Sequence, residues 1–283
     1  MANVDTKPNG YRVLSLEQET PAQSRETDAE IIERLRERFE ILDDMTRAVK
    51  KGAVRAMIVS GAPGVGKSFG VEKVLGKHGL MADIAQDEKL KKYEIVKGAM
   101  SAIGLYSKLY EFSAEKNILV FDDCDSVLLD DLSLNILKAA LDTSKKRTIS
   151  WNTDSRLLRS EGVPNSFEFK GGAIFITNIN FANIKSKKLQ DHLAALESRC
   201  HYIDLTIHTE REKMLRIKQI VGDGMLQDYD FTEEQNTQLI EFIDANKRRL
   251  RELSLRTVLK AADLMRSFPG DKWQRVAQIS LMK

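Results

Sequence analysis

The chain has 283 residues, of which 42% are hydrophobic and 30% are charged. This balance is typical of globular domains and excludes a fibrous repeat or a chain that is disordered throughout. The 44 basic and 42 acidic residues leave a net charge of +2, so a surface that attracts nucleic acid must be local. Two cysteines cannot build a disulfide framework, and no apolar run approaches the roughly 20 residues of a membrane helix. We therefore expect a cytoplasmic protein without a membrane partner.

The predicted elements divide the chain into an arm, a core and a helical C-terminal domain. Residues 1–26 are polar and lack periodicity, which predicts a flexible arm. The core is expected over 27–208, beginning with a helix over 28–51, and a small helical lid domain over 209–283. Capping boxes predict three helix starts, at Thr27 with Glu30, Thr209 with Glu212, and Thr232 with Gln235.

Short apolar runs alternate with helical stretches within the core. They cover 53–59, 93–96, 118–121, 173–177 and 202–207. Strands this apolar are typical of a mostly parallel sheet that is covered on both faces, and the alternation with helices predicts an α/β fold with five strands. Two alternating segments predict a β-hairpin inserted over 147–170.

A glycine-rich loop follows the first strand and precedes a predicted helix. Its sequence, which matches G-x-x-x-x-G-K-[ST], is Gly61-Ala62-Pro63-Gly64-Val65-Gly66-Lys67-Ser68. Glycines let backbone N–H groups surround a phosphate, and the N-terminus of the next helix favours an anion. We expect Lys67 to reach the β- and γ-phosphates of a nucleotide and Ser68 to bind Mg²⁺. Phe69 completes the predicted nucleotide-binding set.

Two acids follow the third apolar run, at the end of the strand where open α/β sheets place ligands. Asp122 is expected to hold Mg²⁺ through water, and Asp123 to position and polarise an attacking water. The simpler alternative is an acidic turn after a strand. The phosphate-binding loop upstream disfavours that alternative.

With these two motifs the chain resembles the AAA+ ATPases over about residues 30–268. In that family a polar residue, here Asn178, ends the fourth strand and contacts the γ-phosphate and the water. The resemblance makes Arg199, in a Ser-Arg-Cys sequence similar to that of clamp loaders, the finger aimed at a neighbouring subunit's nucleotide. It makes Arg256 the second sensor, at the start of a lid helix. It thus implies ATP and Mg²⁺ as cofactors and a homo-oligomer, hexameric or a similar ring.

Simpler roles remain open for the later motifs. Asn178 could cap its strand, and Arg199 could be a surface arginine, with Arg211 as a rival for the finger. Arg256 could be an ordinary arginine at a helix start, where arginines are common, and it lies close to a basic run at 246–251.

The predicted hairpin resembles the pre-sensor hairpin of superfamily-three viral helicases and of MoxR-like ATPases. Its basic and aromatic side chains suit a single nucleic-acid strand, and they are Lys145, Lys146, Arg147, Trp151, Arg156 and Arg159. The alternative is a solvated hairpin with Trp151 packed inward.

The favoured function is a Mg²⁺-dependent ATPase that does conformational work on DNA or a nucleoprotein complex, as a helicase, loader or clamp-loader-like motor of the kind phages encode. The first alternative is a MoxR-like protein remodeller. The second is an ATP-gated assembly module with little hydrolysis, because the family has Asp-Glu where this chain has Asp122-Asp123. Asp125 is a less favoured substitute base. A GTPase is disfavoured because the chain has no N-K-x-D motif.

Overall fold

The structure is a computed structural model that describes residues 26–76, 92–179 and 181–283. The strands are β1 Ala56–Ser60, β2 Tyr93–Lys97, β3 Ile118–Asp122, β4 Thr148–Ser150, β5 Ser166–Glu168, β6 Gly172–Thr177 and β7 His201–Asp204. The helices are α1 Asp28–Lys50, α2 Lys67–Leu75, α3 Ala102–Glu111, α4 Ser126–Leu129, α5 Asp131–Ala140, α6 Arg156–Ser160, α7 Lys187–Glu197, α8 Glu210–Gly222, α9 Glu233–Asn246, α10 Leu255–Ser267 and α11 Lys272–Leu281. Short 3-10 helices cover Phe181–Asn183 and Gln227–Tyr229. The predicted arm, apart from Glu26, and the predicted end of the loop helix at Lys77 lie outside the described residues.

Five of the strands form a parallel sheet in the order β2-β3-β6-β1-β7. Strand β6 pairs with both β1 and β3, so Thr177 lies opposite Ser60 and Ile176 lies opposite Asp122. These three central strands are buried along their whole length, which explains their near-continuous apolar sequence. The α/β fold with an inserted hairpin and a helical C-terminal region is confirmed. The carboxyl ends of β1, β3 and β6 meet at one edge of the sheet.

Helices cover both faces of this sheet. On one face, Phe121 and Phe175 stack with ring centroids 5.0 Å apart and pack with buried side chains of α3, α5 and α7. On the other face, Met57 and Val59 pack against α1, α2 and α8. None of the described helices is both long and apolar enough to cross a membrane.

The ends of two predicted strands differ from the sequence pattern. The first run begins at 53, but strand β1 begins at Ala56, and the run over 202–207 leaves the sheet after Asp204. Leu205 and Ile207 are nevertheless buried beneath the second face. An apolar pattern reports burial, and burial continues here past the end of strand pairing. The three predicted capping boxes are present.

Helices α8–α11 follow the last strand and share an apolar cluster of their own. At its centre Trp273 is 2% exposed and contacts Phe242, with ring centroids 4.8 Å apart. Ser254 caps α10 by accepting a hydrogen bond from the backbone N–H of Thr257. The cap fixes where α10 begins, and this helix start lies against the glycine-rich loop described below.

The inserted hairpin is docked on α3. Strands β4 and β5 pair in antiparallel fashion, with α6 in the connection between them. The ring of Tyr106 lies 5.6 Å from that of Trp151 and 5.1 Å from that of Phe167. Tyr110 also contacts Phe167, at 5.2 Å. The inward packing of Trp151 is therefore the correct interpretation, and this ring is not free to stack on a base.

Arg147 corrects a second prediction about the hairpin. Its guanidinium is buried and donates hydrogen bonds to the carbonyl oxygens of Ala140, at 3.1 Å, and Gly171, at 3.3 Å. Burial lowers the pKa of Arg147 to about 10. Arg147 holds the hairpin to the end of α5 and the start of β6, so its predicted contact with nucleic acid is wrong. The other basic residues predicted to contact nucleic acid, Lys145, Lys146, Arg156 and Arg159, are exposed.

Substitution of Arg147 separates its structural role from a surface role. Arg147→Ala should lower the free energy of unfolding by about 2–3 kcal/mol, because two buried carbonyls lose a charged donor. Arg159→Ala, which removes an arginine that is 63% exposed, should change it by less than about 0.5 kcal/mol. Urea denaturation followed by circular dichroism measures both values. Equal effects of the two substitutions would contradict the structural role.

Candidate functional site

The glycine-rich loop connects β1 to α2, and its backbone adopts conformations that glycine reaches most easily. Gly64 and Gly66 have φ angles of +70° and +103°, in the left-handed region that side chains disfavour. Gly66 directly precedes α2, so the loop ends at a helix N-terminus whose first N–H groups are unpaired within the helix. Such a loop is suited to hold an anion at the sheet edge.

Lys67 is the buried cation of this loop, with 5% of its surface exposed. Its Nζ donates hydrogen bonds to the carbonyl oxygens of Gly61, at 2.8 Å, and Ala62, at 3.0 Å, and to Oδ1 of Asn178, at 2.8 Å. Burial lowers the pKa of Lys67, while the nearby charges of Asp123 and Asp122 oppose that shift. The three acceptors are uncharged, so this ammonium favours an anion at the mouth of the loop.

Ser68 and Asp122 form a pair of oxygen donors beside Lys67. The hydroxyl of Ser68 donates to Oδ1 of Asp122 at 2.8 Å, and Asp122 is buried at the end of β3. Hydroxyl and carboxylate oxygens are suitable ligands for Mg²⁺. The structure therefore brings together the two predicted metal ligands.

Asp123 and Asn178 extend this group across the sheet edge. The amide Nδ2 of Asn178 donates to Oδ1 of Asp123 at 2.8 Å, and Asp123 has a φ of +51°. A guanidinium nitrogen of Arg256 lies 3.8 Å from Oδ2 of Asp123. Asp125 instead accepts a hydrogen bond from Thr177 at 2.7 Å, at the end of β6. Asp123, rather than Asp125, shares the group with the predicted sensors.

The start of α10 contacts the loop directly. The backbone N–H of Leu255 donates to the carbonyl oxygen of Gly64 at 3.0 Å. A Cβ added to Gly64 would lie 2.7 Å from Cβ of Ser254, so the approach requires glycine. This contact places the exposed side chain of Arg256 beside the loop. Phe69, one residue past Ser68, is 63% exposed.

Arg199 lies apart from these residues. It follows α7 and precedes β7, whose first residue His201 pairs with Met57 near the start of β1. The length of β1 therefore separates it from the loop, on the order of 13 Å. Its guanidinium donates to the carbonyl oxygen of Ala195, and its Nε lies 3.9 Å from Oδ1 of Asp142. The sequence analysis expects Arg199 to act on a neighbouring subunit's nucleotide, and that role stays a prediction.

The rival arginine is held within its own chain. Arg211, in the first turn of α8, donates from Nε to Oδ1 of Asp28 at 2.8 Å and also to the carbonyl oxygen of Glu26. These contacts fasten α8 to the start of α1. They give Arg211 a clear structural role.

Sequence reasoning did not identify two cations near the site. Arg216 of α8 is 6% exposed, with its guanidinium carbon 3.5 Å from the ring centroid of Phe39, and burial lowers its pKa to about 10. Lys97 ends β2 and lies opposite Asp122 in the sheet. No local motif marks Arg216, and Lys97 becomes visible only once β2 is known to pair with β3.

One relative of known sequence spans most of the chain. The chain is 36% identical over 247 residues to an uncharacterized 36.7 kDa protein of the nrdC-mobD intergenic region of Enterobacteria phage T4, covering 86% of this chain and 73% of the T4 protein. The chain belongs to the family of this T4 protein. No model of a known protein family matches the sequence.

Among solved structures, one match is a chain in the structure of Drosophila ORC bound to DNA. It has 14% sequence identity and a TM-score of 0.41, and the alignment covers 96% of this chain and 70% of that chain. This TM-score is too low to assign the fold, so the fold is assigned from the chain's own sheet order and loop. The glycine-rich loop between β1 and α2 has the strand–loop–helix arrangement of a P-loop.

Substitution of Gly64 tests the contact between the loop and α10. Gly64→Ala should lower the free energy of unfolding by more than the about 1–2 kcal/mol of left-handed strain, because the new Cβ also displaces Ser254. Gly162→Ala is the matched control, since Gly162 has a φ of +69° and no heavy atom within 4 Å of an added Cβ. Hydrogen exchange should show faster exchange over residues 254–258 for Gly64→Ala alone. Unchanged exchange there would contradict the contact.

Proposed function

We propose that the chain is a Mg²⁺-dependent ATPase of the AAA+ type that works as a homo-oligomeric ring. The observation that carries this proposal is the buried ammonium of Lys67, which has only uncharged hydrogen-bond acceptors at the mouth of a glycine-rich loop. A phosphate would supply the missing negative charge. The T4 relative also agrees with a phage-type protein. The proposal divides the chain into the core over 27–208 and the lid over 209–283.

The residues at the sheet edge have the chemistry that a nucleotide and its metal require. The loop over residues 61–68 would hold the phosphates through backbone N–H groups and Lys67, and Ser68 and Asp122 would hold Mg²⁺. When bound, Mg²⁺ neutralises charge that develops on the phosphate oxygens. Asp122 ends a buried strand, so its carboxylate is fixed before any ligand arrives.

Asp123 and Asn178 would orient the attacking water. Asn178 contacts Lys67 through its oxygen and Asp123 through its amide, so it links the phosphate site to the candidate base. A γ-phosphate that draws Lys67 toward itself would release Oδ1 of Asn178 for the water. Arg256 would approach the same phosphate from α10.

Arg199 would act on the nucleotide of a neighbouring subunit. It lies at the sheet edge opposite its own loop, so it cannot contact a phosphate bound there. An arginine at a subunit interface can stabilise charge on the transferring phosphoryl group. This role would require an assembly in which one chain completes the site of the next.

Nucleic acid is the substrate that we favour. Four of the predicted basic residues, Lys145, Lys146, Arg156 and Arg159, are exposed and could contact phosphates, although Trp151 is packed inward. A MoxR-like role on protein is the alternative, and it would leave turnover indifferent to DNA.

An ATP-gated assembly module is a second candidate function. Its support is Asp123, which is shorter than glutamate and whose carboxylate is already engaged by Asn178 and lies near Arg256. With its candidate base held in this way, the chain would hydrolyse ATP slowly. ATP-dependent assembly with negligible phosphate release would favour this candidate over the motor.

Mixing two inactive variants tests both the ATPase and the placement of Arg199. Lys67→Ala should lose ATP binding, and Arg199→Ala should bind ATP but lose most turnover. An equal mixture should recover about one quarter of wild-type turnover, because that share of random interfaces joins an intact loop to an intact arginine. Phosphate release measures the recovery.

The same assay includes a control for the rival arginine. Arg211→Ala should keep its turnover, because Arg211 contacts Asp28 and Glu26 of its own chain. A mixture of the two inactive variants that stays inactive, or loss of turnover in Arg211→Ala instead, contradicts the role given to Arg199.

Charge reversal on the hairpin tests the nucleic-acid substrate. Single-stranded DNA should stimulate ATP turnover, and stimulation should fall several-fold in Lys146→Glu/Arg159→Glu and with rising salt, because phosphate contacts are lost. Lys260→Glu/Arg275→Glu reverses two exposed charges on α10 and α11 and serves as the matched control. Turnover of the wild type that ignores DNA would refute this substrate.

A further inference from the structure

Lys97 lies beside the proposed metal site although it belongs to another strand. Strands β2 and β3 pair in parallel, with Lys97 opposite Asp122. The Nζ of Lys97 lies 3.3 Å from Oδ2 of Asp122 and 3.0 Å from Oε1 of Glu72. Ser68 donates to Oδ1, the other oxygen of the same carboxylate. A hydroxyl and an ammonium thus occupy both oxygens of the buried Asp122.

The side chain of Lys97 is placed so that it can move. Its side chain is 61% exposed and rises from the end of an edge strand, so it can turn into solvent without opening the core. Hydrogen bonds to Glu72, and then to Asp122, raise the pKa of Lys97 against the opposing effect of burial. Glu72 lies on α2, one turn after Ser68, and offers a second anchor when Lys97 leaves Asp122.

We propose that Lys97 is a resident cation of the metal site. It neutralises Asp122 while Mg²⁺ is absent, and when Mg²⁺ binds it leaves Asp122 and keeps its hydrogen bond with Glu72. Two cations at one carboxylate repel each other, so Lys97 raises the Mg²⁺ concentration that the site requires. Without Mg²⁺ it also reduces the repulsion between Asp122 and the phosphates. Lys97 is therefore a positioning residue for the metal, and this inference rests on the ATPase function proposed above.

The segment that follows Lys97 in the chain contacts the start of α4. Gly98 comes next, with a φ of +94° and no heavy atom within 4 Å of an added Cβ. Met100 then exchanges hydrogen bonds with the hydroxyl of Ser126 at the start of α4. Residues 98–100 therefore connect Lys97 to the start of α4.

A Mg²⁺ titration of nucleotide binding tests the inference. The probe is a fluorescent ATP analogue, whose anisotropy is followed with the full chain in EDTA and at increasing Mg²⁺. Lys97→Met should lower the Mg²⁺ concentration at half-effect about three- to tenfold, because the competing charge is gone. In EDTA the same variant should bind the analogue several-fold more weakly than the wild type. Lys97→Arg, which keeps the charge, should stay close to the wild type in both.

Lys108→Met is the matched control. Lys108 also contacts two carboxylates, those of Glu94 and Glu111, but it lies on α3 away from the loop. It should leave the Mg²⁺ midpoint unchanged. A midpoint in Lys97→Met that is unchanged or raised overturns the role of Lys97 and leaves the ATPase proposal standing. A wild-type chain that does not bind the analogue at all overturns both.

Discussion

The position of strand β6 between β1 and β3 is the constraint on which the candidate site depends. Parallel strands end at the same edge of a sheet, so this order brings the loop after β1, the acids after β3 and Asn178 after β6 together. The hydrogen bonds from Lys67 to Asn178 and from Asn178 to Asp123 follow from that order. All three strands are buried, and a slip by one residue would move each side chain to the opposite covered face, where it would not fit the existing packing.

The local chemistry of the site could be predicted from the sequence, whereas its long-range contacts could not. The loop and Asp122 carry their signal within a few residues, because a phosphate needs closely spaced glycines and the metal needs a carboxylate after a buried strand. The contact of Lys97 with Asp122 depends on which strands are neighbours, and strand pairing joins distant parts of the chain. The roles of Asn178 and Arg256 remain predictions, although the structure places both near Asp123.

Two arginines of one hairpin region show why composition alone does not identify a binding surface. Arg159 pairs with Asp154 in solvent, whereas Arg147 is buried. The last carbonyls of a helix have no partner within the helix, and Arg147 supplies one for Ala140 at the end of α5. The sequence gives both residues the same charge, but the neighbouring helix end determines which of them faces water.

The turn between α5 and the hairpin contacts Arg199 within a single chain. The carboxylate of Asp142 lies near Arg199, while Arg55 donates to the carbonyl oxygens of Asp142 and Ser144. A half-exposed pair of this kind contributes about 0–1 kcal/mol, so its loss costs little. In a ring, Arg199 could exchange Asp142 for a phosphate across the interface. The hydrogen bonds from Arg55 would still hold the turn that leads into the hairpin, so Arg199 could be released to a neighbour without loosening the β-ribbon.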